Sequence, residues 1–142
     1  MGIFDLFFGS GKSHSPLEPD NPLSKQLDDI RGPLEDLADQ AKDSLEVVPA
    51  DKATYVFIGK PPRQFGIAWV KDGKVFNLKS LADEKGISPT ELQKTSSDLS
   101  KAYSHSMEDT RYSTKVGQCK CLIAESRKLG KDVDRIIRTV SS

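Results

Sequence analysis

Asp72 and Gly73 stand between two apolar runs, and Asp-Gly is a favoured two-residue hairpin turn, so this pair constrains the chain more than any other. Upstream, Phe65-Gly-Ile-Ala-Trp-Val-Lys71 alternates large with small side chains, and downstream Lys74-Val-Phe-Asn-Leu78 resumes the apolar pattern. Ahead of both, Ala53-Thr-Tyr-Val-Phe-Ile58 is β-branched and aromatic, the composition of a strand. Residues 53–79 therefore predict a three-stranded antiparallel β-meander. Period-two alternation puts Phe65, Ile67 and Trp69 on one face and leaves Gly66, Ala68 and Val70 on the other, flat enough for a helix to pack closely. The first loop, Gly59-Lys-Pro-Pro-Arg-Gln64, is stiffened by its prolines and carries Lys60 and Arg63, cations expected to stay exposed.

Helical patterns flank the meander. Leu23, Leu27, Ile30, Leu34, Leu37 and Ala41 form one stripe, with Asp28, Asp29, Glu35, Asp36, Asp39 and Asp43 mostly off it, as in a helix with one wet face. Gly32-Pro33 interrupts the stripe and predicts a kink or two short helices. On the far side, Ser88 is a natural N-cap, Pro89 fits the first helical position and Glu91 completes a capping box, so a helix is expected from Pro89 to Ser104. Val116, Cys119, Ile123, Leu129, Val133, Ile136 and Val140 recur at helical spacings, with Gly130 as an interruption, so residues 80–140 read as helical. A strand over Gln118–Ala124, with Cys119 and Cys121 on one face, is the alternative there.

The fold class is thus α+β: a three-stranded antiparallel β-meander packed against C-terminal helices and preceded by a kinked acidic helical segment at 23–48. Residues 23–142 are expected to form one domain, since a chain of 142 residues buries roughly 68–70% of its unfolded surface. Residues 1–22 read as a flexible segment: a Gly/Ser/Pro-rich stretch behind an apolar hook of Ile3, Phe4, Leu6, Phe7 and Phe8.

Charge excludes several functions. Lys plus Arg (21) equals Asp plus Glu (21), so no overall charge advertises a nucleic acid or an anionic membrane. The balance hides a dipole: residues 1–50 carry 10 acidic and 4 basic side chains, net −6, and residues 51–142 carry 11 acidic and 17 basic, net +6. No run approaches the roughly 20 apolar residues that cross a bilayer. Two cysteines one residue apart, with no secretory signal ahead of them, fit a reducing compartment, and a cytoplasmic location is expected. The hook lacks both the basic flank of a signal peptide and, at Leu6, the hydroxyl residue of a myristoylation motif. It is expected to dock on its own body, a second copy or a membrane surface, with protein favoured.

Candidate chemistry is sparse. Gly9-Ser10-Gly11-Lys12-Ser13 matches only the end of a Walker A loop, because Leu6 stands where the first Gly belongs. Ala82, Gly86, Ile87 and Leu92 stand at offsets that resemble the core of a helix-turn-helix, from which Lys85 and Thr95 depart. That resemblance implies a second helix offering Thr90, Gln93, Lys94 and Ser97 to DNA. Cys119 and Cys121 would supply two soft thiolates to Zn or Cu(I), but a closed zinc site wants four ligands. Aromatic residues interleaved with cations, Tyr55, Phe57, Phe65 and Trp69 with Lys60, Arg63 and Lys71, suit either a core or stacking on single-stranded nucleic acid. No nucleophile sits beside a base in any local catalytic signature. The expected function is a small, non-catalytic, cytoplasmic protein-interaction or self-association module. It would bind another protein or a second copy through Phe4, Phe7, Phe8, Lys60 and Arg63. A DNA-binding regulator and a thiol metal-binding protein are the alternatives, and no cofactor is expected.

Overall fold

The structure is a computed structural model and describes residues 14–141. In chain order these form β1 (Ser15–Pro16), α1 (Pro22–Asp29), α2 (Arg31–Ala41), β2 (Leu45–Pro49), β3 (Thr54–Lys60), β4 (Gln64–Lys71) and β5 (Lys74–Asn77). There follow α3 (Leu78–Lys85), α4 (Pro89–His105), β6 (Arg111–Val116), β7 (Cys119–Ala124) and α5 (Arg127–Ser141). The described residues are mixed α+β, with one mixed seven-stranded sheet in the order β1-β6-β7-β2-β3-β4-β5.

β3, β4 and β5 pair antiparallel in sequence order, and β4 is joined to β5 at Asp72 (φ 53°) and Gly73 (φ 76°), the left-handed pair that a tight hairpin demands. The expectation of a three-stranded sheet is nevertheless corrected, because four further strands extend it. Three lie where helix was expected, one of them, β7, where a strand over Gln118–Ala124 was the alternative. Residues 80–140 are not continuously helical: β6 and β7 form a hairpin over residues 111–124, closed by Gly117 at φ 60°. The acidic segment 23–48 likewise ends in strand, since β2 begins at Leu45. β2 lies between β7, to which it runs parallel, and β3, to which it runs antiparallel. A central strand covered on both faces shows no alternation, which is why Leu45-Glu-Val-Val-Pro49 did not read as one.

Each face of the sheet has its own core. α1 and α2 bring Leu27, Leu34, Leu37 and Ala38 onto Leu45, Val47, Val56, Ala68, Val116 and Ile123. Ala68 sits on the flat face that the alternation marked for close helix packing. The helical stripe is broken at Ile30, so two short helices form, and Pro33 falls in the first turn of α2, where its missing N–H is not needed. On the opposite face, α4 and α5 pack Leu99, Ala102, Tyr103, Leu129, Val133 and Ile136 against Tyr55, Phe57 and Trp69. Ser88 caps α4 as expected, its Oγ accepting from Glu91 N–H. Among the described residues no helix is long and apolar enough to cross a membrane.

Two buried polar ties bind the second core. Arg111 Nε donates to Glu46 Oε2 at 2.6 Å, its Nη1 to Ser106 O at 2.6 Å and its Nη2 to Ser106 Oγ at 2.8 Å. Tyr103 completes the group: its hydroxyl donates to Glu46 Oε1 at 2.6 Å, and the Arg111 guanidinium lies 5.0 Å from its ring centre. Tyr55 donates to Asp134 Oδ1 at 2.7 Å, joining β3 to α5. Burial, reinforced by the carboxylate each phenol faces, pushes both tyrosines well above the ordinary phenol range, so both remain donors.

Candidate functional site

β4 and β5 have unequal lengths. β5 pairs only with Ala68–Lys71, because Asn77 leaves the strand to cap α3, its Oδ1 accepting from Ser80 N–H at 2.8 Å. Among the described residues no strand pairs with Gln64–Ile67 on that side, so the first half of β4 is an open sheet edge. Gly66 within it is exposed, and a Cβ built there would meet no atom within 4 Å.

Beside this edge runs a groove of about 530 Å³ whose walls include Leu37 and Ala41 of α2, Ile58, Phe65, and Leu92 and Leu99 of α4. One wall comes from each helical layer, so a strand added here would find apolar surface on both of its faces. At one end the groove shares Ile58, Phe65 and Gly66 with a cleft of about 630 Å³ lined also by Lys60, Arg63 and Asp43. Ser100 Oγ donates to Pro62 O at 2.9 Å and so ties the β3–β4 loop to α4. Lys60 and Arg63 are exposed and form no ion pair among the described residues. Along the edge in the other direction lies β5, where Val75 (41% exposed) and Phe76 (42%) face water, Phe76 stacking on Trp69 with ring centres 6.2 Å apart. An exposed aromatic on an edge strand is the feature that natural sheets usually suppress.

The other candidate residues are placed as follows. Phe4, Phe7 and Phe8 lie outside the described residues. Thr90, Gln93, Lys94 and Ser97 are exposed on α4, with Lys94 Nζ held 2.9 Å from Asp98. The nearby groove between α4 and α5 carries both signs of charge, and its Asp132 already accepts from Lys128 and Arg135. Cys119 and Cys121 share a face of β7 against α2, Cys119 Sγ lying 3.5 Å from Ala38 O. Burial, with the Glu46 charge second, pushes the Cys121 thiol up to about 12, so it holds its proton at neutral pH. Among the described residues no group of three or more His, Cys, Asp or Glu side chains is arranged to hold a metal.

Reading the sequence found Lys60 and Arg63 but missed Gly66, Val75, Phe76 and Leu92 as parts of one surface. The signal was present: Gln64–Lys71 is twice as long as the run that follows its hairpin turn, and Asn77 is a natural N-cap. Comparison of the chain with known protein families, curated proteins and solved structures gave no match.

Proposed function

We propose that this chain is a non-catalytic protein-interaction module that receives an extended apolar segment of a protein by strand addition at the open edge of β4. The carrying observation is the unpaired stretch Gln64–Ile67 beside an apolar groove walled by both helical layers. In strand addition, main-chain hydrogen bonds supply affinity and pockets for alternate side chains supply selectivity, and an edge without a partner strand beside an apolar groove supports that reading. Lys60 and Arg63 at one end favour a segment with a carboxylate there, and Phe76 with Val75 extends the apolar surface at the other.

The test is site-specific photo-crosslinking in the full chain. A photoreactive residue at position 66 is expected to give a discrete protein adduct in cells, lost when Leu92→Arg closes the groove. The same probe at exposed Lys25 on α1 serves as background. Position 66 giving no adduct above that background would overturn the reading.

A further inference from the structure

Taking the docking reading of the β4 edge as its premise, we infer that the edge receives residues Ile3–Phe8 from a second copy of the chain. Three observations select this occupant. The first is pattern. A strand with water on one face alternates, whereas one covered on both faces is apolar throughout. The groove at β4 has an α2 wall and an α4 wall, and Ile3-Phe-Asp-Leu-Phe-Phe8 is apolar but for Asp5, offering Phe4, Leu6 and Phe8 to one wall and Ile3 and Phe7, with Asp5 between them, to the other. The second is charge. Asp5 is the single charged residue of that segment, and at the end of the groove Lys60 and Arg63, which form no ion pair among the described residues, outnumber the one carboxylate of that cleft, Asp43.

The third is reach, and it decides between the chain's own groove and a neighbour's. The described chain begins at His14, beside β1, on the opposite edge of the sheet. Ser15 lies in the same row as Ala68, through Tyr112, Ile123, Val47 and Val56. Five strand spacings of about 4.8 Å separate β1 from β4, about 24 Å in all. The chain at His14 also enters β1 from the side of that row away from Gln64–Ile67, because Pro16 is in the row of Ile67. From His14, the six residues to Phe8 span at most ~22 Å and the ten to Phe4 at most ~36 Å. A path over a helical layer roughly 10 Å thick, up, across and down, needs about 44 Å. The segment therefore reaches a second molecule's groove and not its own.

The experiment uses two full-length variants and their mixture, read by sedimentation equilibrium. The unmodified chain is expected to associate as its concentration rises. Phe4→Asp/Phe7→Asp spoils the segment, and Gly66→Glu obstructs the groove where a side chain meets nothing else, so the fold is kept. Each variant alone is expected to associate at least tenfold more weakly. Mixed, they are expected to pair one to one, because one keeps an intact groove and the other an intact segment. An unmodified chain monomeric at hundreds of micromolar, association that both variants leave unchanged, or a mixture that fails to pair would each overturn the inference. A crosslink from position 66 to a different protein alongside a monomeric chain would remove the second copy as occupant and keep the docking site. Neither adduct nor association would remove both.

Discussion

Glu46 and Arg111 meet at 2.6 Å with side chains 7% and 5% exposed, and the two are 65 positions apart in the chain. Taking both charges out of water is expensive, and their attraction offsets it only because Tyr103 and Ser106 satisfy the remaining lone pairs and donors. Arg111→Met strands a carboxylate in the core, and we expect it to lower unfolding free energy by about 3–5 kcal/mol. Arg111→Met with Glu46→Gln should be less damaging than the sum of the two single changes, since no buried charge is left alone. Urea titrations of the three variants measure this, and strict additivity would mean that the pair does not act as a unit. Buried groups that titrate at high pH set a further limit. Tyr55, Tyr103 and Cys121 all have their protonation held upward by burial in the folded chain. Above the ordinary thiol and phenol ranges the unfolded chain loses protons that the folded chain retains, so the stability these groups carry is full below about pH 8.5 and falls as pH rises. Each group contributes a slope of up to ~1.4 kcal/mol per pH unit in that window. Tyr103→Phe is expected to flatten the alkaline limb of a denaturation profile, and an unchanged limb would count against the burial described for it.

At the scale of elements, α5 depends on an absent side chain. A Cβ on Gly130 would stand 2.6 Å from Pro49 O, so the helix lies against the end of β2 because that position is bare. Gly130→Ala raises intrinsic helix propensity by about 1 kcal/mol, yet overpacking commonly costs 1–3 kcal/mol. We expect net destabilisation, read as a lower urea midpoint, and a stabilised variant would mean that the contact yields easily. In sequence Gly130 looked like a helix interruption, whereas α5 runs through it unbroken. Elements with strong local rules were legible: β3 to β5 from alternation and Asp72-Gly73, α4 from Ser88, Pro89 and Glu91, and the break between α1 and α2 from the proline. β7 was legible only as the alternative strand over Gln118–Ala124, and β2 and β6 were not, for physical reasons. β2 is buried on both faces and has no period, and Arg111-Tyr-Ser-Thr-Lys-Val116 is polar, its strand held by a buried salt bridge that no local pattern announces. Half of the candidate site was legible for the same reason. The Lys60–Arg63 loop is local, while the groove arises where α2, β4 and α4 converge.

For the molecule as a whole, the parallel pairing of β2 with β7 is decisive, because it closes the sheet between segments more than 70 positions apart. β2 also pairs with β3, so one strand joins the meander to the C-terminal hairpin. The Glu46–Arg111 and Tyr55–Asp134 ties cross the same seam. No cut of the chain separates two parts that each keep a complete core: removing α5 uncovers Tyr55 and Trp69, and removing α1 and α2 uncovers Val47, Val56 and Ile123. Residues 14–141 should therefore unfold in one cooperative transition, with far-ultraviolet circular dichroism and the emission of Trp69, the single tryptophan, tracing the same urea curve. An earlier Trp69 transition would show that the meander melts as a separate unit and that the β2–β7 seam does not couple the halves. Hydrogen exchange refines the test, since amides of β2, β3 and β7 should open only on global unfolding. Those of β1, two residues long, and β5, exposed along its four, should exchange by local fraying. An edge that opens locally while the centre stays closed can accept an added strand without disturbing the fold that presents it.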